Sequence, residues 1–269
     1  MIKLMYITND YKICDFLENI GINRIFLDLE FEGKVSRQGH LNTFISDHKI
    51  SDIQIIKNQI NKTDLLVRVN PLSNNSLNEI NKVIKLGATH IMMPMIKGHE
   101  DVKELVNIVS NRCKIIPLLE TIKSIENIDR ILSVDGLSEI YFGLNDLHIE
   151  LNKKFIFQPL TEGYLDKSIM SCKKNNISFG IGGLAPMNDG IISGEIVLGE
   201  YLYQGSSSVI LSRSFRNFDF KDDDEFRNIL KSKVHDIRKK ENQLNLRNDS
   251  KREIDHLDFI NKVNDKVKE

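Results

Sequence analysis

Two acidic residues carry the strongest chemical signal in this 269-residue chain: Glu120 ends the apolar run KIIPLLE, and Asp146 ends EIYFGLND, 26 positions further on. Two carboxylates brought close together cannot both be ionised without a counter-charge. A hard divalent cation supplies that charge and keeps coordination positions open for water or substrate oxygens. Mg2+ is the natural candidate, with Mn2+ or another divalent cation as a substitute. Taken singly, each residue has a plainer reading, Asp146 capping a turn and Glu120 capping a helix.

Other polar residues close apolar runs in the same way. Arg68 in LLVRVNPL could grip a carboxylate through two parallel hydrogen bonds, or pair with Asp28 or Glu30 and only stiffen a rim. Asp28, Glu30, Asn70, Asn145, Ser212 and Arg213 also stand at run ends, which makes them candidates for substrate contacts. A long polar stretch follows Glu30 and contains Lys34, Arg37, Gln38, His40 and His48. Long polar loops commonly carry function, so His40 and His48 are candidates for a general base, although a lone histidine is more often a surface residue. Gly180, Gly182 and Gly183 in FGIGGLA do not form a GxGxxG fingerprint; they read as close backbone approach at a strand end. The fifth to seventh runs hold no lysine beyond Lys114 at the start of one, which argues against an imine-forming lysine deep in the fold.

The elements that must position these residues follow from hydrophobic patterning. Eight short apolar runs, at 2–8, 24–30, 65–70, 90–95, 114–120, 139–146, 177–182 and 208–215, alternate with amphipathic stretches at 11–20, 52–60, 76–86, 100–109, 124–132 and 160–175. That rhythm predicts parallel strands covered by helices. Eight strands close a (β/α)8 TIM barrel, whose active sites lie at the C-terminal strand ends. An open doubly wound sheet would normally carry a Gly-rich turn after its first strand, where this chain has Thr8-Asn9-Asp10. Gly21 and Gly87 fall where left-handed helix caps are expected. Residues 191–205 show a weak helical pattern.

Composition changes after Phe215. Residues 219–269 carry 13 basic and 13 acidic side chains, with Ile254, Leu257, Ile260, Val263 and Val267 near heptad spacing. The expected division is a barrel over 1–218 and a charged helical extension over 219–269, packing on a partner subunit or left as a solvated terminal helix.

The chain as a whole is balanced, with 37 basic and 38 acidic residues, 41% hydrophobic and 28% charged. That excludes a chain-wide polyanion footprint, a fibre and wholesale disorder. Cys14, Cys113 and Cys172 are odd in number and contain no CxxC, which speaks against a disulfide framework or a cysteine zinc site. No apolar run approaches the roughly 20 residues of a membrane span, and MIKLMYITND turns polar too early for a signal sequence. The expectation is a cytoplasmic protein that binds neither nucleic acid nor membrane.

The words RVNPL, GATHIMMPM, PLLET and VDGLSEIYFGLNDLH, in that order, resemble the HpcH/HpaI aldolase and citrate lyase β-subunit family over about residues 2–215. The resemblance implies a phosphoenolpyruvate/pyruvate-type barrel that makes or breaks carbon–carbon bonds with Mg2+ or a similar cation. By the same resemblance, Glu120 and Asp146 match the metal ligands, Arg68 the arginine on the oxoacid end, and Asp28 and Glu30 the acidic cluster after the second strand. One departure stands out. The aldolase branch usually has a histidine after its acidic residue, whereas Phe31 follows Glu30 here, which leaves His40 as a replacement base. Family members commonly form trimers or hexamers with the last helix on a neighbour.

The expected function is thus a metal-dependent carbon–carbon lyase or aldolase acting on a pyruvate-type oxoacid through a metal-stabilised enolate. A citrate-lyase-like or malyl-CoA-like thioester lyase, and a noncatalytic metabolite-binding barrel, are the alternatives.

Overall fold

The computed structural model describes residues 1–31, 47–216 and 224–269. Eight strands, β1 (Lys3–Ile7), β2 (Arg24–Asp28), β3 (Asp64–Arg68), β4 (His90–Met93), β5 (Lys114–Leu119), β6 (Ile140–Phe142), β7 (Phe179–Leu184) and β8 (Ser208–Leu211), pair in parallel and in sequence order. β8 returns to pair with β1, Lys3 opposite Ser208, and the barrel closes.

The helices that cover it are, in order, α1 (Cys14–Asn19), α2 (Asp52–Lys57), α3 (Ser76–Lys85), α4 (His99–Val109), α5 (Ile122–Glu126), α6 (Ile128–Leu132), α7 (Leu144–Glu150), α8 (Gln158–Thr161), α9 (Asp166–Lys174), α10 (Gly194–Gln204), α11 (Asp224–Asn245) and α12 (Asp249–Lys268). The amphipathic stretch 160–175 is two helices, because Gly163 takes φ of 78° and turns the chain between them. Stretch 124–132 is likewise split at Asn127, and the weak pattern at 191–205 is realised as α10. Gly21 and Gly87 adopt φ of 90° and 110°, the conformation their helix-end positions predict.

Side chains alternate across each strand, so two layers form. Met5, Phe26, Leu66, Met92, Ile116, Leu118 and Tyr141 fill the barrel, while their neighbours, such as Leu4, Ile25, Leu27, Leu65 and Val67, pack under the helices. This parity decides what reaches each end. On β2 it runs Arg24, Phe26, Asp28, and after β5 it runs Ile116, Leu118, Glu120. Asp28 and Glu120 are therefore delivered to the C-terminal mouth and Arg24 to the floor.

On the floor, Arg24 meets Glu139 across 115 residues of sequence, Nη2 to Oε2 at 2.7 Å and Nη1 to Oε1 at 3.2 Å, both side chains buried. Ser208 donates a further hydrogen bond to Glu139. Burial raises the Glu139 pKa, but the Arg24 pairing overcomes it and holds the carboxyl below its ordinary value. Glu139→Gln should cost about 3 kcal/mol or more, because Arg24 is left buried without its counter-charge. Denaturant unfolding measures this, and a loss under 1 kcal/mol would contradict the assignment.

The last two helices wrap the barrel flank. α12 packs against α10 and α8, burying Phe259 and Val263, with Phe259 edge-on to Phe157 at 5.6 Å. His256 Nδ1 lies 2.7 Å from the buried Glu200 carboxylate of α10, and the Tyr203 ring stacks on the imidazole at 4.3 Å. Ile254 and Leu257 remain exposed. No helix among the described residues is long and apolar enough to cross a membrane.

Candidate active site

At the C-terminal mouth the strand ends surround a cavity of about 440 Å3, within the range that holds small-molecule ligands. Its wall includes Asp28, Glu30, Arg68, Glu120, Asn145 and Asp146. Residues that the chain separates by more than a hundred positions thus converge here, as strand-end placement predicts.

Glu120 stands just past the last residue of β5, buried, with its Oε1 accepting the Met95 N–H at 3.1 Å. Met95 holds φ of 56°, a left-handed conformation unusual for a residue with a long side chain. Gly143 closes β6 beside it: a Cβ there would fall 2.7 Å from Glu120 Oε2, so only glycine leaves the carboxylate its place.

β6 is shorter than its apolar run. It ends at Phe142, and Asn145 and Asp146 belong to the first turn of α7. Asp146 reaches the mouth from a helix start instead of from a strand. The pair still shares one cavity, and the electrostatics record the proximity. Burial, then the negative charges of Asp146 and Glu30, push the Glu120 carboxyl up to about 8, against the opposing pull of Arg68.

Arg68 ends β3 and makes a two-pronged contact with Asp28, Nε to Oδ1 and Nη2 to Oδ2, each 2.8 Å. Its Nε is also 3.3 Å from Glu30 Oε2, and its guanidinium lies 5.5 Å from the centre of the Phe26 ring. Burial opposes the charge, but Asp28, then Glu30 and Glu120, hold its pKa above the ordinary value. The rim-stiffening ion pair and the cavity-lining cation are one and the same arrangement.

Asn70 takes a different position. The strand stops at Arg68, and Asn70 turns away from the cavity wall: Oδ1 accepts the Phe31 N–H at 3.0 Å, and Nδ2 donates to Glu79 at 2.9 Å. Its visible work is to fix the chain after Glu30. His40 lies outside the described residues, as do Lys34, Arg37 and Gln38. His48 is described, and it stands behind the site. Its Nδ1 accepts the Asp28 N–H at 3.0 Å, and burial, with the nearby Arg216 charge, pushes its pKa down to about 4. A neutral imidazole committed to a strand-end N–H braces Asp28.

Arg213 also lines the cavity, within electrostatic reach of Asp28. Sequence reading missed three of the other residues there. Arg216 lies beyond the eighth apolar run, one turn of 3-10 helix (Arg213–Phe215) past β8. Tyr6 and Tyr141 are embedded in apolar strands whose pattern announces only core. Tyr141 Oη donates to the Gly182 carbonyl at 2.6 Å and accepts the Ile210 N–H at 2.9 Å, tying β6, β7 and β8 together under the cavity.

A divalent cation fits what this wall presents. The donors are hard oxygens, one of them held by a backbone N–H and sterically reserved by Gly143, and the like charges at Glu120, Glu30 and Asp146 leave an excess of negative potential. Among the described residues no group of three or more His, Cys, Asp or Glu is placed to hold a metal ion. A cation at this wall would draw on two carboxylates at most and otherwise on water and substrate, the manner in which Mg2+ is typically held.

Comparison with known proteins bears on the fold and on the resemblance read from the sequence. Residues 46–175 match the family model described as HpcH/HpaI aldolase/citrate lyase, confirming over that span the resemblance read from the sequence. Among solved structures, an HpcH/HpaI aldolase from Desulfitobacterium hafniense aligns with TM-score 0.61 and 16% identity, covering 78% of this chain and 86% of that one. An HpcH/HpaI aldolase/citrate lyase family protein from Burkholderia cenocepacia gives 0.62 and 14%, covering 80% and 89%. The citrate synthase SbnG gives 0.60 and 15%, covering 88% and 94%. At these identities the structures establish the shared barrel fold. No curated protein matches the chain.

Proposed function

We propose that this protein is a carbon–carbon lyase of the aldolase type, making or breaking a bond next to a pyruvate-like oxoacid through an enolate. The family match supports the lyase class. The observation that carries the finer reading is the sharing of one cavity by Glu120, Asp146 and Arg68. A divalent cation held by Glu120 and Asp146 would supply positive charge where the enolate oxygen becomes negative, already in place and in a site of low dielectric.

The chain's own groups do the rest. Asp28 takes Nε and Nη2 of Arg68, which fixes the guanidinium and leaves its Nη1 N–H groups for the oxoacid carboxylate. Asn145, on the first turn of α7 beside Asp146, is placed to donate to the same unit. Tyr141, bonded to the Gly182 carbonyl and the Ile210 N–H, forms part of the cavity lining. A base must take the hydroxyl proton of an aldol substrate during cleavage and return it during condensation; His40 is the residue the sequence offers. We further propose that the chain acts as a homo-oligomer, trimer or hexamer, through the extension after residue 218.

The direct test is exchange of solvent deuterium into the pyruvate methyl group with added Mg2+. Exchange that depends on Mg2+ and stops with a chelator is expected, and its absence with every divalent cation tried would end the lyase reading in favour of a metabolite-binding barrel. Arg68→Lys keeps the charge and loses the fork. It should lower kcat/KM for the oxoacid about 10- to 100-fold, mostly through KM, because the ammonium can neither pair Asp28 bidentately nor hold a planar carboxylate.

A further inference from the structure

The order of the strands makes the barrel mouth two-sided. Asp28, Arg68 and Glu120 stand at the ends of β2, β3 and β5, and Asp146 follows β6, so these charges occupy one continuous arc of the closed sheet. The remaining arc is β7, β8 and β1. There the cavity is lined by Gly183, Ile210 and Ile7, and Ile156, just before α8, adds a further apolar side chain. Gly183 lies opposite Ile210 in the β7–β8 register, and Ile7 stands two residues past Met5, the β1 partner of Ile210. Ile7 and Ile210 pack on the side chains that fill the barrel, and with Ile156 they keep part of their surface open. The polar groups of these strands and of the turn after β8 have partners. Arg213 is within reach of Asp28, Arg216 is hydrogen-bonded to the Tyr6 hydroxyl, and Ser212 shares a hydrogen bond with Ser214.

The glycines of FGIGGLA divide on the same arc. A Cβ at Gly180 would collide with Ser208 Oγ, and one at Gly182 with the Tyr201 hydroxyl, so close approach requires both glycines, as their strand-end position suggests. Gly183 is different. Its backbone lies outside the left-handed region, and a Cβ there would meet only the Ile210 carbonyl oxygen, at an ordinary 3.7 Å. Neither conformation nor packing calls for glycine at 183. What its missing side chain leaves is open space at an exposed position of the cavity lining.

We infer that Gly183, with Ile7, Ile156 and Ile210, forms a pocket for an aliphatic chain on the carbonyl compound that joins the oxoacid unit, and that the missing side chain at 183 sets the length of chain admitted. The inference rests on the lyase reading for the identity of the reacting unit. A pyruvate unit held against Glu120, Asp146 and Arg68 leaves the β7–β8–β1 arc for the remainder of the substrate. Isoleucine side chains return no hydrogen bond to a hydroxyl or carboxylate that gives up its water there, whereas an alkyl chain gains about three- to fourfold in affinity for each methylene buried.

In condensation, the pyruvate methyl carbon loses a proton and forms the new bond to the aldehyde carbon. The aldehyde oxygen takes up a proton, and the alkyl chain is unchanged. Cleavage is the reverse.

Binding and turnover test this separately. Calorimetric titration of the intact protein with Mg2+ present should show 2-oxooctanoate binding about 30-fold or more tighter than 2-oxobutanoate, and Gly183→Val, which fills the space, should remove most of that gain. Gly183→Ala should remove less, and serves as the second variant should the valine fail to fold. Both should melt at or above the temperature of the unaltered protein, because a side chain enters open space and the unfolded chain loses freedom. In condensation with pyruvate, pentanal should exceed acetaldehyde about 30-fold in kcat/KM, and Gly183→Val should bring that ratio toward unity. A flat dependence on chain length, preference for succinic semialdehyde or glyceraldehyde over pentanal, or a length dependence that survives Gly183→Val would overturn the pocket. Pyruvate deuterium exchange in the unaltered protein separates the failures. Exchange without length dependence removes the pocket alone, and length-dependent oxoacid binding without exchange removes the lyase reading while leaving the pocket.

Discussion

Glu120→Gln is expected to lower kcat/KM for carbon–carbon bond cleavage about a thousandfold or more while leaving the barrel folded. The substitution keeps the size of the side chain and its hydrogen bond from Met95, and removes the one charge that, with Asp146, could hold a divalent cation. With a single carboxylate left, cation affinity falls and the developing oxyanion loses its counter-charge. Asp146→Asn should do the same by the same route. Folding should not suffer, because Glu120 is buried among like charges and a neutral amide relieves them. The measurements are turnover, pyruvate deuterium exchange and Mg2+ titration on the same preparations. Retained turnover in either variant would show that the shared cavity does not act as a metal-supported enolate site.

How much of this site was legible in the sequence follows from the two periods involved. Strand parity is local, so the apolar runs place Asp28, Arg68 and Glu120 on inward positions at the right end, and all three line the cavity. The sequence pattern makes Asp146 a strand end, and the structure makes it part of a helix start. The apolar run continues through Leu144, but Gly143, whose N–H still donates to the Leu119 carbonyl, is the N-cap of α7, and run length alone does not show where strand gives way to helix. Asn70 failed for the converse reason: the strand ends two residues earlier, and the side chain finds Glu79. Arg216 is invisible to strand reading because a 3-10 turn after β8 brings it back over the mouth. The Arg24–Glu139 pair joins residues 115 apart, and no local pattern encodes it.

Metal-free protein should lose stability as pH rises from about 6.5 to 8, and added Mg2+ should restore it. The sign follows from linkage. The folded-state pKa of Glu120 stands near 8 and its ordinary value at 4.5, so above pH 4.5 the folded chain holds a proton that the unfolded chain has released. Stability contributed in this way is complete below pH 4.5 and is lost as pH climbs through 8. Below about pH 6.5 the trend is masked. His48 and His90 are both held near 4 by burial, against 6.5 when unfolded, so they add stability with rising pH up to that point. Glu139, whose pKa is depressed, acts only in the acid range below its ordinary 4.5. The window from 6.5 to 8 therefore belongs to Glu120. Over it the loss amounts to about 2 kcal/mol, or a fall of about 4–8 °C in Tm for a chain of this size. A divalent cation must displace the Glu120 proton to bind, so its stabilising effect should be larger at pH 8 than at pH 6.5. Glu120→Gln has no proton to lose there, and its metal-free melting curve should be flat across the window. Thermal melts of both proteins in chelator and in Mg2+ decide the matter, and an unaltered protein as flat as the variant would mean that Glu120 is not the buried, charge-crowded carboxyl described above.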